Sequence, residues 1–536
     1  MHWYDYWGQW CKNGNSADFI RQIEDPAHRF QLFLGVVKGL KYLHEHDPAI
    51  VHGDPRPVNV LIGDDEEARL CDFGLVRLIL EDGHSGLTTT TAHDGMARYL
   101  SQELVTIDDA WPTRESDCHA LGCIGLEFIY LRRPYARRVH SGPIYSDIAK
   151  GVPPAKRPHD VNIHLGHILL WNLFEGCWNP DILQRPSSTQ IYDYLLEHES
   201  TIIQGLNWPL EEQDLKQPSP TSTPDETEDE NEEHDVPDLT KVVKLLNEGP
   251  IFRGNYSSVR EGICRGQPVA VKTIQIVKSP ETTHRKYQRE LKAWSQLSHP
   301  NILPLLGVCM LDDLGTIGSL VSPWCRNGTS AVYIRNINAP ADRIRLFLEV
   351  ANGVKYLHNR ARIIHGDLKP ANILIDDDGR ARLCDFGLIR LIPKNGESTG
   401  LTTTTVHTGT VRYLSRELIM SEDPKPTTES DCHALGCIGF EFAYLLPPYR
   451  HRRSHTPTPL LYIDIGDSKP PAQRPKKAFM HKGHILLWDL FEACWSLEPR
   501  HRPSSTAIYN YLRKHQSKLV EALELCTDIF DESNSS

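Results

Sequence analysis

The sequence predicts an α+β fold with a second, incomplete copy ahead of the complete one. Three observations lead there. Between Gly249 and Ile274 short apolar alternations are separated by turn signals, the pattern of a twisted antiparallel sheet. From His284 onward apolar residues recur at helical spacing through several long segments. The chain also repeats itself at a period of about 313 residues, far too long for a solenoid and suited to two copies of a domain.

Length and composition set outer bounds. A chain of 536 residues is expected to hold two or more domains. Its formal charge of −12 speaks against nucleic acid as a main partner. The 13 cysteines are few for a disulfide scaffold of this size, and many sit in apolar runs such as Leu383-Cys384-Asp385. Buried, reduced thiols in a reducing compartment are therefore expected. No apolar run is long enough for a membrane segment, and MHWYDYWGQW lacks the features of a signal peptide. The expected location is the cytoplasm, with the nucleus also open.

The repeat is explicit. ESDCHALGCIG occurs at Glu115–Gly125 and again at Glu429–Gly439; LCDFGLVRLI from Leu70 returns as LCDFGLIRLI from Leu383. Trp10-Cys11-Lys12-Asn13-Gly14 matches Trp324-Cys325-Arg326-Asn327-Gly328, and what precedes Trp324 has almost no counterpart in the first copy. Residues 1–204 are thus expected to form a truncated, mainly helical lobe. Residues 205–238 contain PSPTSTPDETEDENEEHD, which has hardly an apolar side chain to bury, and are expected to be an acidic disordered linker. Ser219 and Thr223, each beside a proline, are candidate phosphoacceptors in it. Residues 239–517 make the complete domain, and 518–536 a C-terminal tail.

Within the complete copy the elements follow in order. Val269-Ala270-Val271-Lys272 forms a strand with a lysine at its end. Tyr287, Leu291, Trp294 and Leu297 mark one face of a helix that also carries Glu290, and His299-Pro300-Asn301 ends it. Ile344, Phe347, Leu348, Ala351, Val354 and Leu357 make the core stripe of a long helix. That helix leads into His365-Gly366-Asp367-Leu368-Lys369-Pro370-Ala371-Asn372. Two short strands then flank the turn Asp376 to Gly379 and lead to Asp385-Phe386-Gly387. The remaining segments, including GHILLWDLFEACW and STAIYNYLRKH, are amphipathic helices closing a helical lobe.

An Asp, a Lys two residues on, an Asn five on and a second Asp in a DFG triplet form a specific combination. It resembles the catalytic loop and metal-binding triplet of eukaryotic protein kinases. The likeness covers roughly Pro250 to His515 and is greatest to the tyrosine-kinase-like group of Ser/Thr kinases, including fungal families with HGDLKPxN loops. It implies a two-lobed fold: a small antiparallel sheet lobe with one helix, joined to a larger helical lobe. It also implies ATP and Mg²⁺ as cofactors and a protein as substrate. By that likeness Asp367 orients the acceptor hydroxyl, Lys369 neutralises charge on the moving phosphoryl group, and Asn372 and Asp385 hold the metal. Lys272 pairs with Glu290 and binds the nucleotide phosphates. Ser322 guards the back of the adenine pocket, and Trp324 and Cys325 present backbone groups to the base. Glu417 and Arg502 form a structural ion pair, and Asp431 braces the catalytic loop.

Two departures bear on activity. Anchored on Val259, the family's glycine pattern falls on Phe252, Gly254 and Ser257, so only Gly254 survives for the ATP-binding loop. Gly366 replaces the arginine that in many kinases pairs with a phosphorylated loop, which puts a regulatory role for Thr402 to Thr405, Thr408 and Thr410 in doubt. The first copy keeps Asp54, Asn59 and Asp72 but has Arg56 in the place of Lys369, and its motifs are expected to be degenerate. It would expose apolar surface able to contact a partner or the other copy. Three readings follow: a Ser/Thr protein kinase working through the second copy, a pseudokinase scaffold, or a small-molecule phosphotransferase of the aminoglycoside or choline type. The long segment ending in RYLSREL resembles a platform for peptide substrates and favours the first over the last.

Overall fold

The structure, a computed structural model, describes residues 11–72, 77–79, 97–108, 110–158, 164–207, 236–246, 249–253, 257–274, 280–310, 318–337, 339–387, 390–391, 411–452, 458–475 and 481–525. Gly254, the activation-segment threonines, Ser219, Thr223 and most of the acidic segment lie outside these residues. The chain divides into two compact units, one built mainly from the first repeat and the other mainly from the second.

In the second unit the expected sheet is antiparallel. Its strands run in the spatial order Val243–Leu245, Ser257–Cys264, Gln267–Ile274, Ser319–Pro323 and Gly307–Cys309, and Phe252–Arg253 also pairs with Ser257–Cys264. Alternation splits its faces. Val269 and Val271 join Leu239, Val243, Cys264, Cys309 and Val321 in a small core. Val259 and Lys272, which are cross-strand partners, take the other face. The helix Pro280–Ser295 follows; its Tyr287 and Trp294 are buried as their spacing predicts, and so is Leu297 just beyond its end.

The helical part is built around Thr428–Tyr444. Thr427 and Ser430 cap it reciprocally, each side chain bonding the other's backbone N–H. From Ser430 to Ala443 every residue is buried, so this helix has no polar face to reveal it in the sequence. It needs glycine where neighbours press in: a Cβ on Gly439 would lie 2.2 Å from Cζ of Phe347, and one on Gly436 would lie 2.5 Å from Cβ of Cys494. Phe347 belongs to the long helix Pro340–Tyr356, whose stripe is buried except for the half-buried Leu348.

The first unit repeats this helical architecture. Helices Pro26–Glu45, Arg114–Tyr130, Leu165–Cys177 and Ser188–Leu206 enclose Phe30, Phe33, Phe128, Trp171 and Phe174. Its described residues also hold two small sheets, Ala49–Val51 with Arg77–Ile79 and Val60–Ile62 with Ala68–Leu70, and the shorter helices Ser16–Phe19, Gln102–Thr106 and Ser141–Ala149. Among the described residues no helix is long and apolar enough to cross a membrane.

Each central helix buries one histidine that burial holds neutral, His119 and His433, both lowered to about 4. Because the unfolded chain binds the proton near 6.5, stability is fully present above that pH and is lost as pH falls toward 4. The melting temperature should drop by roughly 5 °C between pH 6.5 and 5. His433→Gln should flatten the part due to the second unit in a calorimetric pH series.

Candidate active site

The site forms where the sheet strand, the Glu290 helix and the two loops of the helical part converge. Nζ of Lys272 donates to Oε1 of Glu290 at 2.7 Å and to Oδ1 of Asp385 at 2.6 Å. Burial alone would depress the lysine's pKa, but Asp385 and then Glu290 outweigh it and the pKa ends well above the ordinary value. Burial raises the carboxyl of Glu290, which is only 3% exposed. Lys272 holds the Asp385 carboxyl down to about 2. Asp385 remains 44% exposed and so stays an accessible anion.

Asp385 is held in an uncommon backbone conformation, φ +67°. The next residue explains how it stays there. Phe386 is fully buried and packs against Trp294 of the Glu290 helix at 5.8 Å and His365 at 5.6 Å between ring centroids. Nε1 of Trp294 in turn donates to the Leu303 carbonyl at 2.6 Å. One apolar stack thus ties the helix, the DFG turn and the HGD loop together.

The HGD loop is hung from Asp431. Its carboxylate accepts from the amides of His365 at 2.8 Å and Gly366 at 2.9 Å, and pairs with Nε2 of His358 at 2.9 Å. Gly366 takes the bend at φ +78°. Beyond it Nζ of Lys369 donates to Oδ2 of Asp367 at 2.7 Å, and Nδ2 of Asn372 donates to the same oxygen at 3.0 Å and to the Asp367 carbonyl at 2.8 Å. With its nitrogen committed, Asn372 has its side-chain carbonyl oxygen left as a donor atom. That oxygen and the Asp385 carboxylate are hard ligands of the kind Mg²⁺ takes, with phosphate oxygens and water completing its shell.

The remaining expected residues are placed as follows. Val259 pairs with Lys272 in the sheet, and Ser322 is buried opposite Ala270. The Trp324 amide donates to the Pro268 carbonyl at 3.2 Å. The Cys325 side chain belongs to the core, and burial pushes its thiol up to about 11, which leaves only its backbone to face a ligand. Arg502 clasps Glu417 with both terminal nitrogens, at 2.6 and 2.9 Å, and reaches the Ser496 and Glu429 carbonyls as well. Arg502→Ala would strand these acceptors and should cost about 3 kcal/mol in denaturant unfolding.

The first unit reproduces part of this geometry. Asp117 accepts from the amides of His52 and Gly53 at 2.8 and 3.0 Å, and Nδ2 of Asn59 reaches the Asp54 carbonyl at 2.9 Å. Arg56 lies 3.0 Å from the Asp54 carboxylate, in the position of Lys369. Asp72 has φ +60°, like Asp385, but is exposed, and no ion pair to it is found among the described residues.

The model of the protein kinase domain family matches residues 9–196 and 247–512. The chain belongs to the protein kinase family. Among curated kinases it is 28% identical over 283 residues to serine/threonine/tyrosine-protein kinase HT1 of Arabidopsis thaliana, covering 51% of this chain and 66% of that protein. It is 30% identical over 270 residues to a probable serine/threonine-protein kinase of Dictyostelium discoideum, covering 49% of this chain and 27% of that one. Dual specificity protein kinase shkD of the same organism is 28% identical over 262 residues, covering 48% and 32%. The chain therefore spans less than two thirds of the length of these kinases.

Sequence reasoning missed two groups in this kinase site, the His358 contact to Asp431 and the His365 contact to Phe386. The signal was present: Lys-Tyr-Leu-His occurs at Lys355–His358 and at Lys41–His44, and Nε2 of His44 pairs with Asp117 at 3.0 Å.

Proposed function

We propose that residues 239–517 transfer the γ-phosphate of ATP to serine or threonine hydroxyls of proteins, with Mg²⁺. The observation that carries this reading is Lys272 held between Glu290 and Asp385 while Asp367 sits in bonding contact with Lys369 and Asn372. Lys272 would ligate the nucleotide phosphates, oriented by Glu290. Asn372 and Asp385 would hold Mg²⁺, which when bound offsets phosphate charge. Asp367 would accept the proton of the attacking hydroxyl and aim its oxygen. Lys369, 2.7 Å from Asp367, would then meet the charge developing on the transferred group. Little bond chemistry is asked of the protein; positioning and charge do most of it. The first repeat is proposed not to transfer phosphate, since Arg56 covers Asp54 and no lysine pairs with Asp72 among the described residues.

The test is transfer of labelled phosphate from ATP by the full chain to a generic basic protein, followed by identification of the phosphorylated amino acid. Phosphoserine or phosphothreonine is expected. Nucleotide binding without transfer would replace this reading with the scaffold, and transfer only to amino alcohols or sugars would replace it with a small-molecule phosphotransferase.

One observation favours the scaffold as the second reading. Phe252, in the first glycine position of the loop, is 61% exposed, and it pairs with Val259 so that both share the face carrying Lys272. A bulky ring there keeps backbone from closing on phosphates. Phe252→Gly should lower the KM for ATP about fivefold, read in the same transfer assay.

A further inference from the structure

An extended segment ahead of the matched kinase region adds itself to the small sheet. Residues 237–239 run parallel to the edge strand Gly307–Cys309. The Leu239 amide donates to the Val308 carbonyl at 2.7 Å, and the Val308 amide donates to the Pro237 carbonyl at 2.9 Å. Thr240 closes the segment. Its hydroxyl oxygen accepts from the Met310 amide at 2.9 Å, and its own amide donates to Oδ1 of Asp238 at 2.9 Å. Gly307 permits the approach, because a Cβ there would lie 2.3 Å from the Pro237 carbonyl oxygen and 2.8 Å from the Leu239 side chain. Pro237 and Asp238 end the acidic, proline-rich stretch, and the family model matches the second repeat only from residue 247.

The segment reaches Lys272 and Glu290 by two routes. The first is the ladder of the sheet. Asp238 is paired with Val308, Val308 with Leu320 and Leu320 with Lys272, so the four residues form one row across it. Leu239 is buried beside that row, in the core made with Val243, Val271, Cys309 and Val321. The second route is the helix that carries Glu290. Its Tyr287, one turn before Glu290, is buried. A Cβ on Gly318 would lie 2.6 Å from the Tyr287 hydroxyl and 3.4 Å from Sδ of Met310, the residue whose amide Thr240 holds. Burial, then Cys309 and then Asp238 push the Tyr287 phenol up to about 12, so the ring lies within electrostatic reach of the added segment.

We propose that residues 237–240 are a positioning element for the nucleotide site: they fix the Gly307–Cys309 edge beside Tyr287 and so seat Glu290 on Lys272. They act through these neighbours and are not catalytic. With the segment bonded, the short edge strand is held on both sides. With it detached, the Val308 amide and carbonyl return to water and the core under Val271 loses Leu239. The helix then samples positions in which Glu290 leaves Lys272, and only the seated fraction of molecules turns over. The kinetic effect rests on the proposed kinase reading; the loosening of the helix does not.

The test compares three variants of the full chain by phosphate transfer, melting temperature and amide hydrogen exchange over residues 285–292. Leu239→Ala empties the core position and should speed that exchange about tenfold. It should lower kcat about fivefold and leave the KM for the protein substrate unchanged. Thr240→Val keeps the shape, removes the acceptor of the Met310 amide, and should shift exchange and kcat the same way by about twofold. Leu512→Ala is the control for a purely structural loss. Leu512 is buried in the helix Ser505–Leu525, so its loss should lower the melting temperature while leaving kcat and the exchange of residues 285–292 as in the parent. Unchanged exchange and kcat in Leu239→Ala would overturn the proposal, and so would Leu512→Ala matching its effects on both. Should Leu239→Ala fail to fold, Thr240→Val decides by the same readings. A parent chain that transfers no phosphate would refute the kinase reading, and the exchange of the Glu290 helix would still decide this inference.

Discussion

Asp367→Asn is expected to lower kcat for phosphate transfer by roughly a thousandfold while leaving the KM for ATP nearly unchanged. The two effects separate because Asp367 bonds Lys369 and Asn372 and its amide donates to Nδ1 of His365, whereas Lys272 bonds Glu290 and Asp385. Asparagine keeps the shape and one carbonyl oxygen, so the loop should stay hung from Asp431. What it loses is the carboxylate proposed to take the hydroxyl proton, together with the full negative charge beside the Lys369 ammonium. Steady-state rates at saturating ATP check this beside a melting curve. Retention of more than about a tenth of the rate would remove Asp367 from the role assigned to it. Asp54→Asn serves as the internal control and should leave transfer unaltered.

What the sequence made legible follows from how local each signal was. Trp294 and Phe347 were found by period alone, because each lies on a helix with one buried and one exposed face. The helix Thr428–Tyr444 carries no such contrast, and it was the exact return of its residues in the first copy that marked it. The ion pairs of Lys272 with Glu290 and of Arg502 with Glu417 join residues 18 and 85 positions apart. No spacing rule reaches that far, so both rested on likeness to kinases. The use of the Trp324 amide by Pro268 was hidden for the opposite reason. Backbone partners across a sheet depend on register, and side-chain identity says little about register.

Lys272→Met should abolish transfer and weaken ATP binding at least tenfold, and it should also destabilise the second unit in a pH-dependent way. The lysine is the only cation shown bonding the buried Glu290 carboxylate among the described residues. Without it Glu290 is left as an uncompensated buried charge, a loss of about 3 kcal/mol at neutral pH. The sign of the pH dependence follows from burial. Glu290 already titrates above the ordinary glutamate value, and removing Lys272 takes away the charge that offsets burial. As pH rises the unfolded chain releases this proton first, so between the unfolded and folded pKa values it binds fewer protons and stability falls. The gap in melting temperature between the variant and the parent should therefore widen from pH 5 to pH 8. Glu290→Gln added to Lys272→Met should close the gap and remove its pH dependence without restoring transfer, because the proposed phosphate ligand is still missing. A gap that is flat with pH, or that narrows as pH rises, would mean that Glu290 is solvated and that Lys272 is not held by it.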